Sequence, residues 1–332
     1  MKKKFLALFI SVLLICTIFS GCGDSADIDG DSKTDLSVNT SKDNPTDDSK
    51  DDSTDTWTVM LYLCGTDLES GGGAATSNLN EIFASDLSEN VNFLIQTGGT
   101  QTWHTDGIDS SKLQRFKVEN SQLSLIDQQE SASMGAADTL GSFLNWGATK
   151  YPADKYMVVF WNHGGGSVSG VEFDELYEND SLSLIELADG LSQAKVPFEV
   201  IGFDTCLMAT LENAVQIAPY GKYMVASEEY EPGGGWQYTS WLNFLSENIA
   251  STGKELGTAI CDSYYQKCES AENEAMATLS VVDLSKIEAL NAAFEKMASE
   301  MIGLTTDVTS FQRFAKGASK AENYGGNTNE EG

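Results

Sequence analysis

A mostly parallel β-sheet with helices on both faces, an α/β architecture, is what this 332-residue sequence predicts. Three observations carry the prediction. Short apolar runs rich in β-branched residues recur from residue 56 onward, each the length of a strand buried on both faces. Amphipathic stretches of helical period lie between them. The two kinds alternate, strand to crossover helix to strand, without an internal repeat, which is the pattern of parallel βαβ units.

In chain order, TWTVMLYLC (56–64) is the first buried strand. NLNEIFASDL then places Leu79, Ile82, Phe83 and Leu87 on one helical face. VNFLIQTGG reads as a strand closing in a glycine turn, and WHTDG with QRFKVEN as a hairpin excursion through a DG turn. TLGSFLNWGATKYP is an amphipathic helix stopped near Pro152, and KYMVVFW is the next strand. SLSLIELADGLSQA is a crossover helix with Leu184, Leu187, Ala188 and Leu191 facing one way. FEVIGF is a further buried strand, after which DTCLMATLENAVQIAP opens a helix. KYMVAS and ATLSVVDL read as strands, GTAICDSYYQKC and IEALNAAFEKMASEMI as helices. One domain is expected over 57–332. Its last residues, NYGGNTNEEG, contain no terminating element, so the chain is expected to be cut from a longer one.

Ahead of this domain, residues 1–22 carry three lysines, an apolar run and then FSGC, the pattern of a lipoprotein signal peptide with Cys22 as the lipidated residue. Phe19 stands where such a cleavage box usually has Leu. The competing reading is an uncleaved membrane anchor, because the run is near the lower length limit for spanning. Either way the expected location is exported, membrane-anchored, on the extracytoplasmic side. Residues 23–56 contain eleven aspartates, three lysines and no aromatic residue, so they cannot bury enough apolar surface to fold and are expected to be a disordered acidic linker.

Acidic residues number 50 against 20 basic, a net charge of −30, which excludes a nucleic-acid partner and favours cationic ones. Four cysteines remain beyond the linker: Cys64, Cys206, Cys261 and Cys268. Cys261 and Cys268 sit seven apart in one expected helix, about 10 Å along its axis and too far for a disulfide. With no CxxC and no histidine cluster, a structural zinc site and a disulfide framework both fail.

The chemistry concentrates at two strand ends. In open α/β sheets, ligands bind beyond the carboxyl ends of the strands. The strands at 156–161 and 198–203 are joined by one crossover helix and so should be neighbours. His163 follows the first, in FWNHGGG; Asp204 and Cys206 follow the second, in IGFDTC. A thiol and an imidazole issuing from one sheet edge are what a cysteine nucleophile and its proton-transfer partner require. The glycines after His163 let the main chain approach a reacting group, so the N–H groups of Gly164 and Cys206 are candidate oxyanion donors. A helix opening at Cys206 would also lower the pKa of its thiol. His104, in WHTDG, has no strand-end partner and is read as structural; Trp161 and Met208 are read as packing residues.

TVMLYLCGTDLES, FWNHGGG, IGFDTCLMATLENA and ASEEYEPGGGW together resemble the clostripain-like cysteine peptidases of the caspase-like clan. The resemblance implies a caspase-like α/β/α sandwich, with His163 and Cys206 as a catalytic dyad without an obligatory third member. It implies a cysteine endopeptidase that cuts peptide or protein substrates after Arg or Lys, with Asp204 in the specificity pocket. Glu228 and Glu229, after the next strand, could deepen that pocket, and EPGGGW (231–236) would be a substrate-facing loop. An N-cap role for Asp204 remains open at this point. The residues call for no cofactor; calcium dependence belongs to the family and is not legible in this sequence. Family members are often activated by a cut after a basic residue between the histidine and the cysteine. Here that interval offers only Lys195, which is a departure.

Two other readings compete. HGGG also builds the oxyanion hole of lipases and esterases, but this chain has no G-x-S-x-G and no histidine after His163. The non-enzymatic alternative is a catalytically weak peptidase homologue acting as a surface peptide- or ligand-binding protein.

Overall fold

The computed structural model describes residues 55–305, 307–321 and 324. The signal peptide, Cys22 and nearly all of the acidic linker lie outside them. Among the described residues, no helix is long and apolar enough to cross a membrane.

The first half of the chain contains β1 (Trp57–Cys64), α1 (Thr66–Gly72), α2 (Ala74–Phe83), β2 (Val91–Gly98), β3 (Lys112–Glu119), β4 (Gln122–Glu130), α3 (Ala137–Lys150) and β5 (Lys155–Trp161). A short excursion follows, made of α4 (Gly166–Ser169), β6 (Val171–Asp174) and β7 (Asp180–Leu182), before the crossover helix α5 (Leu184–Ser192). Then come β8 (Phe198–Asp204), α6 (Leu211–Ile217), β9 (Gly221–Ser227), α7 (Tyr238–Glu247), α8 (Gly253–Ser270) and β10 (Leu279–Asp283). Last come α9 (Ile287–Leu304) and α10 (Val308–Ala318).

Eight strands form one sheet in the order β10-β9-β8-β5-β1-β2-β3-β4. The central β9, β8, β5, β1 and β2 run parallel, while β10, β3 and β4 are antiparallel additions at the two edges. Every residue of β1 is buried, because helices cover both faces of the parallel part. Alternation along β1 sorts its side chains into two layers. Met60 and Tyr62 pack with Phe143 of α3, Leu187 of α5 and Ile217 of α6. Val59 and Leu61 pack with Leu79 of α2, Trp241 of α7 and Ile260 of α8. The result is the α/β/α sandwich with a mostly parallel sheet.

Several local expectations change. The DG at 106–107 is not a hairpin turn; it lies in the long connection from β2 to β3. The hairpin turns at Asn120–Ser121, both with positive φ as a two-residue turn of this hand requires, and its second strand is β4. Leu87 lies beyond the end of α2. The helix after Cys206 begins only at Leu211, with Thr210 accepting the Asn213 N–H as its cap. The chain also divides: a first unit runs from the start of the described residues to Ser299, and a second begins at Glu300. The second contains α10, a helix that the sequence reading did not place.

Candidate active site

β5 and β8 pair in parallel, with Trp161 opposite Asp204. His163 and Cys206 therefore each stand two residues past the last pair, at one edge of the sheet. Both open onto a cleft of about 240 Å³, which Asp204, Thr205, Tyr230 and Glu231 also line. The segment at 231–235 closes one side of it.

Three groups fix the histidine loop. Asn162 donates from Nδ2 to the carbonyls of Cys64 and Phe173, and its Oδ1 accepts the N–H groups of His163 and Phe173. Gly165 N–H is bound by the Gly170 carbonyl, which leaves the Gly164 N–H out of that turn. Gly164 itself lies against the Cys206 carbonyl, where a Cβ would collide with backbone, so glycine is required there by close approach. The His163 ring is held from outside the loop: Nε2 lies 2.9 Å from Oδ1 of Asp67, in the first turn of α1.

The cysteine sits differently from its expected place at a helix N-terminus. Leu207 takes a positive φ, and residues 207 and 209 are strapped to the end of β9 and the segment after it by N–H bonds to the Glu229 and Ser227 carbonyls. This extended strap delays the helix by five residues, so its dipole does not act on the thiol. Burial instead pushes the Cys206 thiol upward, and the carboxylates of Asp204 and Glu229 add to the effect. The N–H of Glu231 donates to Sγ at 3.3 Å and opposes the rise.

Asp204 is buried at the floor of the cleft. Its Oδ1 accepts the Trp236 N–H at 2.9 Å, and its Oδ2 accepts the Tyr238 hydroxyl at 2.8 Å. It caps no helix, so the N-cap reading does not apply. Despite these bonds, burial pushes its pKa up to about 6. Glu231 is close enough to couple with it, and burial and the Asp204 charge raise the Glu231 carboxyl well above its ordinary value. The Glu231 oxygens are buried beside the Asp204 carboxyl. Lys267 of α8 reaches this region, but its ammonium is engaged by Glu81 Oε1 and the carbonyls of Gly234 and Trp236.

The other acidic candidates lie elsewhere. Glu228 does not line the cleft: its Oε1 accepts the Ser280 hydroxyl, because β10 pairs beside β9 and captures the side chain on that edge. Glu229 does not line it either; its Oε1 accepts the Tyr230 N–H. Sequence reasoning missed Glu231 as an individual residue, although the loop containing it was noticed, and missed Asp67 altogether. The signal for Glu231 was an acidic residue beside a GGG turn; for Asp67 it was an acidic residue just past the first strand. His104 belongs to another contact set, its N–H bound by Glu69 Oε1 and its ring against Gly73. Lys195 occupies the exposed turn before β8, the full strand length away from Cys206. All four described cysteines are free. Among the described residues, no group of three or more His, Cys, Asp or Glu is placed to hold a metal ion.

A model of the clostripain family matches residues 61–329. Clostripain of Hathewaya histolytica is 27% identical over 217 residues, which are 54% of this chain and 40% of that protein. The chain thus spans well under half the length of that relative. A secreted C11 cysteine protease of Bacteroides thetaiotaomicron, solved with an irreversible peptide inhibitor, superposes with a TM-score of 0.58 at 22% identity, covering 76% of this chain and 71% of that one. An inactive zymogen C11 protease of Parabacteroides distasonis superposes with a TM-score of 0.56 at 24% identity, over 72% and 65% of the two chains. These two structures share the fold. With a family match over most of its length, on the sheet and strand-end loops described above, this chain belongs to the clostripain family.

Proposed function

We propose that this protein is an exported cysteine endopeptidase that cleaves peptides after Arg or Lys, with Cys206 as nucleophile and His163 as general acid and base. The observation that supports it most is the cleft itself: a thiol and an imidazole open onto the same space as two buried, adjacent carboxyls, those of Asp204 and Glu231. A buried carboxylate without a cation is costly. The side chain that would relieve both Asp204 and Glu231 is a guanidinium or ammonium of the substrate, immediately before the bond to be cut. Glu231, rather than Glu228 or Glu229, is the second acidic residue in this reading.

With such a substrate bound, its positive charge offsets the carboxylates that add to burial in keeping the thiol protonated. The Cys206 proton passes to His163, and the thiolate sulfur attacks the scissile carbonyl carbon. The N–H groups of Gly164 and Cys206 receive the developing oxyanion. The imidazolium then gives its proton to the leaving amine as the carbon–nitrogen bond breaks, leaving a thioester. Water, deprotonated by the same imidazole, attacks the thioester; the acid product departs and the thiol is restored. Lipid on Cys22 holds the enzyme on the extracytoplasmic side of a membrane. The relatives named as secreted proteases support export.

Cys206→Ala and His163→Ala should each abolish hydrolysis of an Arg-containing fluorogenic peptide without lowering the melting temperature, while His104→Ala keeps full turnover. Full activity in Cys206→Ala would sink the mechanism. The upward shift of the thiol favours one competing reading, a homologue that binds basic peptides but cuts them poorly. A thiol-reactive peptide bearing Arg separates the two. An enzyme labels at Cys206 far faster than at Cys64, Cys261 or Cys268, whereas a binding protein shows no such preference. Growth with a clickable fatty acid tests Cys22, and label that survives Cys22→Ser would exclude that residue as the anchor.

A further inference from the structure

We infer that Asp67 is a positioning residue for the proposed peptidase reaction: it holds the His163 ring by Nε2, so that Nδ1 is the nitrogen that serves Cys206 and the leaving amine. The inference rests on the reading of His163 as the general acid and base, and adds to the dyad a member on a different strand end.

The geometry comes first. Asp67 Oδ1 and His163 Nε2 are 2.9 Å apart, a charge-assisted distance when the ring is protonated. An imidazole has two ring nitrogens, and whichever is bound to a carboxylate keeps its proton in the neutral ring. The proton on Nε2 makes Nδ1 the basic nitrogen at rest and the donor after it takes the thiol proton. The imidazolium that forms during attack is stabilised by the same carboxylate without any further rearrangement.

The placement of Asp67 is built, not incidental. The Gly65 and Thr66 N–H groups are bound by the carbonyls of Gly98 and Gly99 at the end of β2. The Thr66 carbonyl accepts the Thr100 hydroxyl at 2.8 Å. Thr66 takes a positive φ, uncommon for a β-branched residue, as the chain turns from β1 into α1. The same turn delivers Asp67 to the histidine. Gly65 leaves no room for a larger residue there, since a Cβ would lie 2.8 Å from the Thr100 methyl. Asp67 also lines, with His163, Gly164 and Phe173, a second depression outside the Asp204 cleft. The ring therefore stands between the acidic cleft and this depression, where the departing half of a substrate would lie. The hydrogen bond with His163 keeps the Asp67 carboxyl below its ordinary range, so it is ionised and able to accept at neutral pH.

Three variants and two readouts test this. With an Arg peptide, Asp67→Asn and Asp67→Ala should lower kcat by roughly tenfold to a hundredfold, with KM within about twofold, the smaller part of what a general acid–base contributes because the carboxylate is largely exposed. Asp67→Glu should recover most of the loss. The second readout does not depend on turnover. The chain has two histidines, so nitrogen NMR resolves both rings, and His104→Ala assigns them. Neutral His163 should carry its proton on Nε2 in the wild type and lose that preference in Asp67→Asn and Asp67→Ala. An unchanged kcat, a loss confined to KM, or an unchanged tautomer in a folded variant would each overturn the inference. If the wild type hydrolyses no basic peptide, the proposed function falls, and the tautomer alone decides whether Asp67 orients the ring.

Discussion

Asp204 and Glu231 are the residues at which charge chemistry makes the sharpest demands. Truncating one member of a buried charge pair typically costs about 2 to 5 kcal/mol, so Asp204→Asn should lower kcat/KM for an Arg peptide roughly thirtyfold or more. Asn keeps an acceptor for the Trp236 N–H and a donor for the Tyr238 oxygen, so the fold should survive. Glu231→Gln should act in the same direction, and because the two groups are coupled their effects should not add. A matched peptide with a neutral residue before the scissile bond is the control: an equal loss on both peptides would remove Asp204 from the specificity pocket. The pH dependence has a definite sign. Below about 6 Asp204 holds its proton and offers no charge to a substrate cation; above it the carboxylate is ionised. Hence kcat/KM for the Arg peptide should climb through pH 6 more steeply than for the neutral one. Stability runs the other way. The folded-state pKa lies above the unfolded value of about 3.9, so the contribution of Asp204 to stability is greatest at low pH and falls as pH rises toward 6. At pH 7, Asp204→Asn should therefore melt no lower than the wild type, which calorimetry would check.

Elements decide what those residues can meet. The parallel pairing of β5 with β8 puts His163 and Cys206 at matching positions past Trp161 and Asp204, and this much was legible from two apolar runs and one crossover helix. The path of the chain after Cys206 was not legible. LMATLENA has helical periodicity, but the backbone bonds from Leu207 and Ala209 to Glu229 and Ser227, at and just past the end of β9, outcompete it until Thr210 provides a cap. Such bonds depend on which strand lies alongside, and no local propensity records that. Glu228 was misplaced for a related reason: β10 comes back antiparallel beside β9, after α8, and removes the side chain from the cleft. Asp67 was invisible because the turn that carries it depends on the carbonyls of Gly98 and Gly99, at and just past the end of β2 and distant in sequence. The loop at 231–237 tests how far elements control the site. Lys267 of α8 ties its Gly234 and Trp236 carbonyls to Glu81 of α2, and Gly235, at positive φ, packs directly on Asp204. Lys267→Met should release this loop, raising KM for Arg peptides several-fold while leaving kcat near wild type. A fall in kcat with KM unchanged would show instead that the loop acts on the chemistry. Gly164→Ala is the harsher case: its Cβ would enter the Cys206 backbone, so activity and melting temperature should fall together.

At the scale of the whole molecule, the field matters more than any single contact. Net charge is −30, with 50 acidic residues against 20 basic ones, and two of those 50, Asp204 and Glu231, line the cleft. An acidic cleft in low-dielectric walls raises the local concentration of cationic ligands and speeds their arrival. That long-range attraction acts beyond contact distance, so salt weakens it: the screening length is about 30 Å at 0.01 M and about 3 Å at 1 M ionic strength. The contact between a bound guanidinium and Asp204 is shielded from solvent and is screened much less. These two contributions separate experimentally. For an Arg peptide, kcat/KM should fall several-fold between about 0.01 M and 1 M salt, while kcat at saturation stays level. A peptide of zero net charge should show no such slope. Asp204→Asn should lower kcat/KM at every salt concentration and keep most of the slope, because one charge in 50 makes little difference to the field at long range. If the slope vanished in Asp204→Asn, the salt dependence would be a property of the pocket contact alone. If the neutral peptide fell as steeply as the basic one, salt would be acting on the fold or the chemistry, and the acidic surface would have no part in substrate capture.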